Sequence, residues 1–73
     1  MINLRTINKH QEAIAELKRL QKKYLYNKGK AEGYESIGDL KGAQDSRNKM
    51  ASIAEEIWAA EEYYHILINK IKQ

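Results

Sequence analysis

The chain has 73 residues and a mass of 8.5 kDa, with thirteen Lys and Arg against ten Asp and Glu, so it is one small domain, 1–73, with a net charge of only +3. Hydrophobic residues make up 42% and charged residues 32%, which excludes a low-complexity tail and a membrane-embedded chain. The lack of cysteine excludes a disulfide framework, a thiolate zinc site and a cysteine nucleophile. Because a chain this short buries only about 60% of its unfolded surface, oligomerisation or a partner is expected to supply further stability.

The opening stretch, Met1 to His10, lacks the continuous apolar region of a secretory signal. The longest uncharged run, Tyr63 to Asn69, is far shorter than the ~18 residues of a membrane span. A cytoplasmic protein without membrane contact is expected. Lys outnumbers Arg ten to three and Ile, Asn and Tyr are frequent, the bias of an AT-rich coding genome. With the small size, that bias suggests a viral protein or another product of a mobile element.

The first arm, Leu4 to Ile37, carries Ile7, His10, Ile14, Leu17, Leu20, Tyr24, Ala31, Tyr34 and Ile37 at three- and four-residue steps, interrupted around Asn27 and Lys28. This is a helical period. Thr6 is the expected N-cap, with Asn3 and Asn8 as competitors. Gly29 and Gly33 each cost about 0.5–1 kcal/mol relative to Ala in a helix. They indicate either a break between residues 27 and 33, giving three helices, or a place where another helix comes close. A continuous or kinked helix is the preferred reading.

Ile37-Gly38-Asp39-Leu40 is the strongest turn signal: Gly38 is suited to the left-handed conformation that ends a helix, and Asp39 to capping the next. The second arm, Leu40 to Lys72, repeats the helical period through Leu40, Ala43, Met50, Ile53, Ala54, Ile57, Ala60, Tyr64, Leu67, Ile68 and Ile71. Two matched arms of about 50 Å each, joined by a tight turn, predict an all-α antiparallel helical hairpin. Folding about Gly38-Asp39 makes facing positions sum to about 77, so Tyr34 meets Ala43, Leu20 meets Ile57, Ile14 meets Tyr64 and Ile7 meets Ile71. With large residues paired there, the open end is expected to be the better packed. The segment Ile37 to Ala43, with Tyr34 and Ala43 at large and small positions, resembles the inter-helix turn of a tetratricopeptide repeat. The resemblance implies a helix-turn-helix unit, of which three are normally stacked and this chain holds one.

From Ile57 to Ile71 the apolar arc spans about 140° of the helical wheel, wider than one neighbouring helix covers, and Trp58 and Ile66 lie outside it. A homodimer forming a four-helix bundle with the C-terminal arms at its centre is therefore expected. Residues 1–37 carry a net charge of +4 and residues 38–73 carry −1. Arg19, Lys23, Tyr26 and Lys30 form one outward stripe of basic groups with an interleaved aromatic, a pattern able to follow a phosphate backbone. Against this, the pairing rule sets Lys22 and Lys23 beside Glu55 and Glu56, so much of the field is offset internally.

Glu62-x-x-His65 has the spacing of a di-iron bundle ligand pair, with Glu16 in the facing layer, but both point to the edge of the apolar arc. A solvated pair with a Glu61–His65 contact is the preferred reading, and His10 reads as a core-edge histidine. No phosphate loop, nucleophile elbow or triad spacing occurs, so no enzyme activity, cofactor or metal is expected. The expected function is a small regulator, an adaptor or inhibitor of another protein. Its binding residues are Trp58, Tyr63 and Ile66, with the basic stripe Arg19, Lys23, Tyr26 and Lys30. Nucleic-acid binding through that stripe and a self-assembling structural role are the alternatives.

Overall fold

The computed structural model describes residues 4–72 as two antiparallel helices, α1 (Leu4–Ser36) and α2 (Leu40–Lys72), each of 33 residues. No proline interrupts either one. α1 runs unbroken through Gly29 and Gly33, and an added Cβ at either glycine would meet nothing within 4 Å. The break between 27 and 33 is therefore absent, and no helix of this chain approaches those glycines. α1 starts at Leu4, which places Thr6 and Asn8 inside the helix and rules both out as caps; Asn3 lies outside the described residues.

The turn is built from three backbone features. Gly38 has φ +79°, and its N–H donates to the Glu35 carbonyl at 3.0 Å while the Asp39 N–H reaches back to the Tyr34 carbonyl at 2.8 Å. This double bond pattern closes the C-terminus of α1 around a left-handed glycine. The Asp39 carboxylate then accepts the Gly42 N–H at 3.0 Å, capping α2 at its positive end. Tight closure also corrects the apolar assignment: Ile37 and Leu40 lie beyond the last facing layer and are exposed.

Between the helices runs a seam with a strict heptad rhythm. Ala13, Leu20, Asn27 and Ala31 of α1 and Ala43, Ser46, Ile53 and Leu67 of α2 are buried. His10, Leu17, Tyr24 and Tyr34, with Met50, Ile57, Ala60, Tyr64 and Ile71, fill the intervening positions half-buried. Alternating steps of three and four on both helices are the mark of an antiparallel coiled coil. The rhythm assigns Ala13 to the seam, moves its neighbour Ile14 to the flank and leaves Ala54 exposed. Asn27, read from sequence as an interruption, is a seam residue whose amide donates to the Lys23 carbonyl at 2.9 Å. Burial is shared along the rod: Ala43 is fully buried at the closed end and Leu67 nearly so at the open end, so the open end is not the better packed.

The molecule measures 57 × 14 × 13 Å, with a radius of gyration of 16.6 Å where a compact chain of this length has about 11 Å. Among the described residues no third layer surrounds this single seam, so the flanks and backs of both helices face outward.

Gly29→Ala and Gly33→Ala are each expected to raise stability by about 0.5–1 kcal/mol in urea unfolding, because open space receives the methyl group. Gly42→Ala is expected to lower it, since the new Cβ would sit 2.9 Å from the Tyr34 ring and from the Asp39 carboxylate. Gly38→Ala is expected to cost about 1–2 kcal/mol through its left-handed φ.

Candidate functional site

Helical spacing sorts the outward residues into two flanks. Arg19, Lys23, Tyr26 and Lys30 of α1 share one flank with Lys49, Ser52, Glu56, Ala59, Tyr63 and Ile66 of α2. Tyr63 is 46% and Ile66 is 53% exposed, and Tyr26 is also solvent-facing. Six of the seven residues expected to bind a partner thus share one side of the rod. Trp58, 64% exposed, belongs to the other, together with Leu25, Lys28, Glu35 and Arg47.

The basic segment borders a shallow groove of about 380 Å³ lined by Lys23, Tyr26, Asn27, Lys30, Lys49, Ser52 and Ile53. Lys30 holds its ammonium 5.5 Å from the Tyr26 ring centroid, a cation–π contact that keeps its charge over the groove. Lys49, overlooked by a reading confined to α1, is the third lysine here. Position 49 lies one residue before Met50, which faces Asn27 by the pairing rule, so that rule was the signal that could have found it. Among the described residues Lys23, Lys30 and Lys49 have no carboxylate within ion-pair distance.

Arg19 is differently placed. Its Nε donates to Glu16 Oε2 at 3.0 Å and its Nη2 to Glu16 Oε1, a two-point grip between residues one turn apart. The hydrogen bond from Arg19, more than its charge or that of Lys23, holds the Glu16 carboxyl below the usual glutamate value. Glu16, with a smaller contribution from Glu56, raises the guanidinium value. Among the described residues no close ion pair joins Lys22–Lys23 to Glu55–Glu56; the close pair is Glu16–Arg19, and Glu56 acts on Arg19 more weakly from the other arm. Lys22 and Glu55 sit on the outer backs of their helices, too far apart to pair.

Two other grooves open on the surface. One of about 280 Å³ lies on the basic flank toward the open end, between Lys9, Glu12, Ala13, Glu16, Ala60 and Tyr63. The other, about 300 Å³, lies on the opposite flank, where the Glu35–Arg47 ion pair crosses it. His10 stacks on Tyr64 at 5.0 Å with 27° between the rings, and His65 meets the same tyrosine edge-on at 5.8 Å. The Glu61–His65 contact expected from sequence is not formed. Among the described residues no three or more His, Cys, Asp or Glu side chains gather as a metal would require, and no helix is long and apolar enough to cross a membrane. No family model matches the chain, and no curated protein or solved structure matches it significantly.

Because the folded Glu16 value is depressed, the Glu16–Arg19 pair contributes at pH values above the ordinary glutamate range and is lost as pH falls through the depressed value. An NMR titration is expected to show the Glu16 carboxyl titrating below the ordinary glutamate range, and Glu16→Gln to lower the melting temperature only slightly, both groups being solvent-exposed.

Proposed function

We propose that this hairpin is a non-enzymatic protein-binding module, an adaptor or an inhibitor of a larger protein. It engages an acidic, partly apolar surface through the flank bearing Arg19, Lys23, Tyr26, Lys30, Tyr63 and Ile66. The observation that carries this reading is the alignment of an exposed aromatic and aliphatic pair with a lysine-lined groove on one continuous side of the rod. Tyr63 and Ile66 supply apolar contact, and tyrosine is a frequent energetic anchor of interfaces. Lys23, Lys30 and Lys49 supply unpaired positive charge, which speeds encounter with an acidic partner and sets orientation. Shallow open grooves favour a protein surface over a small substrate, which requires an enclosing cavity. A cytoplasmic site of action and an origin on a mobile element fit the size and composition bias.

Affinity capture from host lysate with the natural chain, a Tyr63→Ala/Ile66→Ala variant and a Lys23→Glu/Lys49→Glu variant tests the proposal. One acidic protein is expected to be retained by the natural chain and lost with either variant, both remaining helical by circular dichroism. Tyr26 among lysines also suits a nucleic-acid backbone with stacking bases. Salt-sensitive binding of RNA or DNA that disappears with Lys23→Glu/Lys49→Glu and survives Tyr63→Ala/Ile66→Ala would replace the protein-binding reading. Growth of the natural chain into large assemblies would replace both with a structural role.

A further inference from the structure

The flank opposite the lysine groove carries an apolar surface that the hairpin leaves uncovered. Arg47, Ala51, Ala54, Trp58 and Glu61 follow one another along α2 at alternating steps of four and three residues, so they form one stripe. Trp58 is 64% exposed, and Ala51 and Ala54 stand exposed in the two turns before it. Leu25, 63% exposed, borders the same flank from α1. A large ring next to two methyl-sized side chains is a projection beside a recess, and each needs what the other offers.

The stripe complements itself when reversed. Arg47 lies seven residues before Ala54 and Glu61 seven after it, while Ala51 and Trp58 lie three before and four after. A second α2 laid antiparallel across Ala54 brings Trp58 onto the partner's Ala51 and Glu61 to the partner's Arg47, and two-fold symmetry repeats both contacts. Arg47 is already paired with Glu35 of its own α1 on this flank, and its guanidinium has donors left for a second carboxylate. On this flank Lys18, Lys28, Arg47 and Lys72 stand against Glu32, Glu35 and Glu61, a near balance of charge, so two copies meet less repulsion than the lysine groove would impose.

Area supports the same occupant. The chain exposes 5697 Å², roughly 1,000 Å² more than a compact monomer of 8.5 kDa. One side of a 57 × 14 Å rod offers roughly the 800 Å² that each partner buries in a standard interface. We infer that a second copy of this chain covers this flank, with α2 antiparallel to α2 about a two-fold axis at Ala54. The product is a four-helix bundle with both lysine grooves facing outward, and it stands independently of what those grooves bind.

Sedimentation equilibrium at micromolar concentration is expected to report a dimer of the 8.5 kDa chain. Trp58→Ala is expected to weaken it roughly tenfold or more with the helical spectrum retained, since the side chain is exposed in the hairpin. Glu61→Arg is expected to weaken it as well, by setting like charges together. The chain has no cysteine of its own, so Ala54→Cys reports the axis directly: mild oxidation is expected to link two copies through it far faster than through Ser52→Cys on the opposite flank. A monomeric natural chain overturns the inference, as does a dimer indifferent to Trp58→Ala. A dimer in which Ala54→Cys cross-links no faster than Ser52→Cys overturns it too.

Discussion

The rod depends on a single seam in which every third or fourth residue of one helix faces its counterpart on the other. Each helix shields only that stripe, and among the described residues no further element covers either back. Leu20, Ile53 and Leu67 supply the larger apolar bodies, Ala13 packs between Leu67 and Leu20, and Ala31 and Ala43 fill the seam toward the turn. Asn27 and Ser46 interrupt this apolar run at neighbouring layers without leaving a buried side-chain atom unpartnered among the described residues. A buried amide in a coiled-coil seam favours one alignment over its neighbours at some cost in stability. Here the Asn27 amide is satisfied locally, through the Lys23 carbonyl of its own helix.

Much of this was legible in the sequence because its signals are local. Gly38 and Asp39 specify a helix stop and a helix start by their own conformational chemistry, and the three-and-four rhythm on either side fixes helix type and facing register. The seam itself was read less well. Marking apolar residues alone makes Asn27 and Ser46 look like gaps and favours Ile14 over Ala13, yet neighbouring residues differ by about 100° around the axis. Spacing, not hydrophobicity, decides which of them faces inward. The capping residue of α1 was misplaced for a related reason: Thr6 has the right chemistry at a position already inside the helix.

For the outer surface the outcome is also mixed. All the residues singled out for binding except the half-buried Lys30 are exposed because they lie off the seam, which the same periodicity foretold. Treating Trp58, Tyr63 and Ile66 as one cluster overlooked that Trp58 lies around the helix from the other two. Weighing charge only between the arms missed the grip of Glu16 on Arg19 within α1, and it also left out Lys49. Once the residues are sorted by flank, each side has a consistent character. One is basic with Tyr63 and Ile66 at its open end; the other is balanced in charge around Trp58 and Leu25.

The turn carries a consequence for how the chain avoids entanglement. Tyr34, the last seam residue of α1, and Ala43, the first of α2, are nine residues apart, or half a revolution out of step at about 100° per residue. If the corner at Gly38 straightened into one long helix, the two halves of the greasy edge would point to opposite sides of the shaft. No straight neighbour could zip along both at once. Exchange of arms between molecules through an extended, uninterrupted helix is thus disfavoured by phase alone, whatever the cost of unbending the glycine.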